Sequence, residues 1–205
     1  MTDHRIVCFG DSNTYGYDPR SYLGSRYPKS VRWTGRLEKE GWTVINEGEN
    51  GRCIPESKQE AAALAQSVFQ NEPAITVVML GSNDLLQQPT PSAEICAERM
   101  ERFLSALLET IPASCKLLLV SPPPMKPGAW VNGSRTLEES NRLAGCYLEL
   151  ANQLGLFFAD AGNWGVELTF DGVHFTEKGH SAFAEGIQRT LEQIMPYPNI
   201  PADLS

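Results

Sequence analysis

Apolar residues in this chain fall into short unbroken runs separated by longer stretches with a helical period. The runs cover 5–9, 43–45, 75–80, 116–120 and 156–159. None alternates polar with apolar residues, so each reads as a strand covered on both faces, as in a parallel sheet. Between them the spacing predicts helices over 33–40 and over 57–70, the second following Pro55 and rich in alanine. A third, over 92–110, starts just after Pro91 and puts Cys96, Met100, Phe103, Leu104, Leu107, Leu108 and Ile111 on one stripe. The stretch 137–154 does the same with Leu137, Ala144, Tyr147, Leu148, Ala151 and Leu154, and 176–194 with Phe183, Ile187, Leu191 and Ile194. This alternation of strand and helix predicts an α/β fold. It would be a three-layer α/β/α sandwich on a five-stranded parallel sheet, with right-handed crossovers and the flavodoxin-like order 2-1-3-4-5.

Composition narrows the class. A chain of 205 residues suits one domain spanning 1–205, and 41% hydrophobic with 20% charged residues supplies a full core and excludes disorder. A net charge of −8 repels phosphate backbones and anionic lipid surfaces, so the expected partner is a small molecule, with no nucleic acid and no membrane. The five cysteines (Cys8, Cys53, Cys96, Cys115, Cys146) are odd in number and form no C-x-x-C. They read as reduced thiols in a cytoplasmic setting, with Cys8 and Cys115 as small core residues. No run approaches a membrane span, and 6–9 is too short for a signal segment.

Some stretches have no period. The loop 18–30 is one, and 122–133 begins Pro122-Pro123-Pro124, which cannot donate to a sheet and predicts an extended loop. The proline-rich loops also offer surfaces for a homo-oligomer. The segment 196–205 holds three prolines and reads as a non-helical tail.

In an open α/β sheet, ligands bind beyond the carboxyl ends of the strands. Four polar segments fall there: Gly10 to Asn13, Asn46 to Gly51, Gly81-Ser82-Asn83-Asp84, and Asp171-Gly172-Val173-His174. Ser12 offers a hydroxyl on a tight strand-to-helix turn. A serine becomes a nucleophile only when a base takes its proton, and His174 is the best candidate among three histidines. Asp171 can hold the imidazole Nδ1–H and stabilise the imidazolium. Attack on an acyl carbon creates an oxyanion, for which the Ser12 backbone N–H, a close backbone approach at Gly51 and the Asn83 amide are candidate donors. Such chemistry needs no metal and no organic cofactor.

These segments resemble the SGNH (GDSL-type) hydrolase family. Gly10-Asp11-Ser12-Asn13 is similar to its first block, with asparagine where leucine is usual; Asn50-Gly51 matches the second, Gly81-Ser82-Asn83-Asp84 the third and Asp171-Gly172-Val173-His174-Phe175-Thr176 the fifth. The blocks follow the family's order over residues 6–180. Arg32-Trp33-Thr34-Gly35-Arg36-Leu37 and Val44-Ile45-Asn46-Glu47-Gly48 resemble its arylesterase and acyltransferase branch. The resemblance implies Ser12 as nucleophile, Asp171 and His174 as the rest of a triad, and Ser12, Gly51 and Asn83 as the oxyanion hole. The implied activity is cleavage of small acyl esters through an acyl-serine intermediate. Acyl transfer, thioester cleavage and carbohydrate deacetylation are alternatives on the same site. Where that branch has threonine and a long loop after Arg52, this chain runs through Cys53-Ile54-Pro55 directly into a helix.

Other readings of single residues stay open. Asp11 and Asp84 could hold Mg²⁺ in a phosphatase-like site, or accept backbone N–H bonds and brace their turns. Asn13 stands where the phosphatase chemistry wants a second carboxylate, which favours bracing. A catalytically silent binding module on the same scaffold is the other rival. Tyr15 and Tyr17 are candidate pocket walls or ordinary buried aromatics, and Cys53 is a candidate pocket residue or a packed thiol. Trp33 reads as core, His180 as packed or exposed on the last helix, and His4 as solvent-facing.

Overall fold

The computed structural model describes residues 5–21 and 25–195; His4 and the 196–205 tail lie outside the described residues. Five strands, β1 (Arg5–Gly10), β2 (Thr43–Gly48), β3 (Ile75–Met79), β4 (Lys116–Ser121) and β5 (Phe157–Asp160), pair in parallel in the order β2-β1-β3-β4-β5. Among the described residues, seven α-helices surround them: α1 (Ser12–Tyr15), α2 (Trp33–Lys39), α3 (Lys58–Asn71), α4 (Ser82–Gln87), α5 (Ala93–Leu108), α6 (Ser134–Leu154) and α7 (Glu177–Ile194). The predicted three-layer architecture and strand order are both observed.

The layers follow from the two-residue period of a strand. Val7 and Phe9 of β1 pack with side chains of α3, α5 and α6, whereas Ile6 and Cys8 pack with Trp33 and Leu37 of α2 and with Phe183, Ile187 and Leu191 of α7. Burial on both faces holds for β1, β3 and β4. The expectation fails for β2 and β5, which lie at the sheet edges and are mostly half-buried.

Side-chain caps start the long helices. Ser57 accepts the Glu60 N–H while the Glu60 carboxylate accepts the Ser57 N–H, a reciprocal capping box at the head of α3. Ser92 accepts the Ile95 N–H before α5, and Thr176 accepts the Gly179 N–H before α7. The stripes need two corrections. Leu108 and Leu148 are exposed, because the buried faces run through Phe103, Leu104 and Leu107 on α5 and through Leu143, Tyr147, Leu150 and Ala151 on α6. In addition, α1 and α4 are short helices that the period does not predict, since so few turns show no apolar repeat to detect. Among the described residues, no helix is long and apolar enough to cross a membrane.

Candidate active site

The Gly10-Asp11-Ser12 corner carries the chain from β1 into a one-turn helix. Asp11 is its N-cap, and its carboxylate accepts the Asn13 N–H at 2.9 Å. This is the bracing role, and Asp84 has one too: it accepts the Ile54 N–H at 3.0 Å and meets the Arg99 guanidinium at 3.3 Å. Burial pushes the Asp11 carboxyl up to about 6, against the opposing pull of the Asn13 N–H, His174 and Arg52.

The corner aims Ser12 Oγ at His174 Nε2, 2.9 Å away. On the far side of the ring, Nδ1 lies 2.8 Å from Asp171 Oδ2. The other Asp171 oxygen accepts the backbone N–H groups of Val173 and His174, each at 2.9 Å. Burial would raise the Asp171 carboxyl, but the His174 ring and these N–H donors outweigh it and hold the group at about 2. An ionised Asp171 can only accept, so Nδ1 carries the hydrogen and Nε2 turns its lone pair to Ser12. All three side chains are buried.

Asn13 fastens this arrangement, a role the sequence shows only as a departure from the resembled block. Its amide nitrogen donates to the Val173 carbonyl at 3.2 Å and its oxygen accepts the Phe175 N–H at 3.0 Å, so it grips both neighbours of His174. Trp33, in the core as expected, donates its indole N–H to the Asn13 carbonyl at 3.0 Å. His180 is fully buried; its Nδ1 accepts the Trp33 N–H at 3.4 Å, and its Nε2 has no partner.

Gly51 and Asn83 belong to two further segments, at the carboxyl ends of β2 and β3. Gly51 has φ +76° in the turn after β2, and a Cβ there would meet nothing within 4 Å, so glycine serves the backbone conformation and not space. Asn83, on α4, donates its amide to the Arg52 carbonyl at 3.0 Å, leaving the second hydrogen of that amide for another acceptor. Arg52 was not anticipated. Its guanidinium donates to the carbonyls of Gly10 (3.0 Å) and Glu47, pairs with Glu49 (2.7 Å) and lies 4.2 Å over the Phe9 ring. It thereby ties the Gly51 turn to the end of β1.

Beside Gly51 opens a groove of about 700 Å³ lined by Arg52, Cys53, Ile54, Gln87 and Arg99 among others. Cys53 is half-buried on its wall. Burial first, and then Asp84, push the thiol up to about 11 although Arg99 opposes them, so it is protonated at neutral pH. Of the two tyrosines, Tyr17 has its ring 4.8 Å from that of His174, while Tyr15 lies beneath the Arg26 guanidinium at 4.1 Å. Trp130, from the proline-rich loop, also meets His174 at 4.8 Å, nearly edge-on at 84°. No period or motif in the sequence points to it. Among the described residues, no group of three or more His, Cys, Asp or Glu side chains is placed to hold a metal ion.

The fold, with a polar rim at the carboxyl ends of its strands, places the chain in the class of ester-cleaving hydrolases with a three-layer α/β/α sandwich. The model of the GDSL-like lipase/acylhydrolase family matches residues 8–182, and the chain belongs to that family. Solved structures agree. An arylesterase candidate from Agrobacterium tumefaciens is 32% identical with a TM-score of 0.81, over 93% of this chain and 99% of that one. The aryl esterase of M. smegmatis is 29% identical with a TM-score of 0.74, over 91% and 99%. Est24, a carbohydrate acetylesterase from Sinorhizobium meliloti, is 26% identical with a TM-score of 0.80, over 93% and 99%. None of the curated proteins matches the chain.

Proposed function

We propose that this hydrolase cleaves small carboxylic esters through an acyl-Ser12 intermediate. The observation that carries the reading is the 2.9 Å approach of Ser12 Oγ to His174 Nε2, with the far nitrogen of the ring held 2.8 Å from an ionised Asp171. His174 takes the Ser12 proton as Oγ adds to the acyl carbon, and Asp171 stabilises the imidazolium that results. The negative charge on the former carbonyl oxygen is met by the backbone N–H of Ser12, by Gly51 and by the Asn83 amide. His174 then gives its proton to the departing alcohol. Water, activated by the same imidazole, resolves the acyl-enzyme, and another alcohol in its place would make the reaction an acyl transfer.

Similarity to aryl esterases and to carbohydrate acetylesterases supports acetyl or a similarly short acyl group. Cys53, on the groove beside Gly51, would line the acyl side. The five free thiols support a reducing, cytoplasmic setting. Ser12→Ala should abolish turnover of p-nitrophenyl acetate and labelling by a fluorophosphonate, while the folded state survives. A variant that still turns over and still labels would overturn the assignment.

A further inference from the structure

Resting on the acyl-Ser12 reading, the position of the substrate's alcohol portion follows from proton bookkeeping. When the ester C–O bond breaks, the acyl group stays on Ser12 Oγ and the departing oxygen takes its proton from His174 Nε2. The alcohol portion must therefore lie against whatever surrounds that imidazole. Among the described residues two aromatic rings do: Tyr17 and Trp130, each with its centroid 4.8 Å from that of His174.

Trp130 has the more unusual setting. Its side chain is 51% exposed, although it touches a ring that is 2% exposed. Its backbone is firmly held. The segment from Lys126 to Val131 pairs with the 170–172 turn: Lys126 N–H donates to the Gly172 carbonyl (3.0 Å), Ala129 N–H to Phe170 (3.1 Å) and Trp130 N–H to Asp171 (3.1 Å). Gly128 permits the approach, because a Cβ there would sit 2.3 Å from the Asp171 carbonyl carbon. Phe170, on the partner segment, is 66% exposed. An indole carried on a pinned backbone, half open to solvent and edge-on to the His174 ring, offers a flat apolar surface beside that imidazole.

We propose that Trp130 is a specificity-determining residue that stacks on a ring-shaped alcohol portion of the ester. The shared chemistry is a flat apolar face, either an aryl ring or the C–H face of a pyranose. Esters whose alcohol is a short open chain gain nothing from the indole.

The test compares three acetates with one acyl group in common: phenyl acetate, a mono-acetylated methyl pyranoside and ethyl acetate. Each is measured as kcat/KM for the wild type, Trp130→Ala and Trp130→Phe. Taking each variant's ratio to wild type for one substrate removes differences in leaving-group reactivity. The expected result is a loss of about tenfold or more on at least one ring ester in Trp130→Ala, recovered largely by Trp130→Phe, with ethyl acetate changed by about twofold or less. Which ring ester responds names the source of the ring. An equal loss on all three acetates, or no loss on either ring ester, overturns the proposal. Fluorophosphonate labelling of Ser12 in the same proteins separates the two readings. Failure to label wild type condemns the acyl-serine mechanism, whereas normal labelling of Trp130→Ala shows Ser12 and His174 still competent.

Discussion

The side-chain oxygen of Asn13 accepts the backbone N–H of Phe175 at 3.0 Å, joining positions 162 residues apart in the chain. With the second bond, from the Asn13 amide to Val173, it sets the height of His174 relative to the Ser12 corner. Leucine, usual at this place in the resembled block, provides neither bond.

Asn13→Leu should therefore strand a buried donor and a buried acceptor, each worth about 1–3 kcal/mol when left unsatisfied. The expected outcome is a lower melting temperature together with a fall in kcat of about tenfold, KM staying within about twofold. An unchanged kcat in a folded variant would show that the grip does not position His174.

Asp171→Asn keeps the shape of the turn but removes the negative charge that fixes the ring's tautomer. A fall in kcat of about 10⁴-fold is expected, as for the equivalent change in a serine protease triad. A folded variant that keeps kcat within about tenfold of wild type would show that Asp171 does not fix the ring.

Asn83→Ala tests the proposed oxyanion donor. Loss of one such donor costs about 10²–10³ in kcat. A drop near twofold would reduce Asn83 to its observed hydrogen bond with the Arg52 carbonyl.

Two buried groups give stability opposite pH dependences. Burial first, with Arg36 and Arg32 adding to it, pushes His180 down to about 3 from its ordinary 6.5. The unfolded chain then binds a proton that the folded chain refuses, so this contribution is full above pH 6.5 and is lost as pH falls toward 3. Asp11, pushed up to about 6 from 3.8, does the reverse: its contribution is full below pH 3.8 and lost as pH rises through 6. Urea unfolding between pH 3 and 7 should show a shallower acid-side loss for His180→Phe and a steeper one for Asp11→Asn. Parallel curves for all three proteins would refute both assignments.

Much of this was legible in the chain itself, for a physical reason. Ile6 to Phe9, Phe183, Ile187 and Leu191 follow local periods that burial imposes on strands and helices, and the alternation of those elements with right-handed crossovers points to the observed strand order. Ser12, Gly51, Asn83, Asp171 and His174 stood out because each follows a strand or precedes a helix at the same rim. Arg52 and Trp130 did not. Their placement depends on contacts between segments distant in the chain, in loops without a period, such as the pairing of Trp130 N–H with the Asp171 carbonyl. Leu108 and Leu148 were misread because a stripe counted by spacing is wider than the face a neighbour covers.

The separation of Ser12 from His174 along the chain has a bearing on biosynthesis. A ribosome delivers the hydroxyl long before the imidazole, so on the proposed acyl-Ser12 mechanism an incomplete chain would hold half of the device and be inert. Catalysis would switch on only when α7 and the turn before it dock. The return of activity after dilution from denaturant would then act as a clock for that final closure.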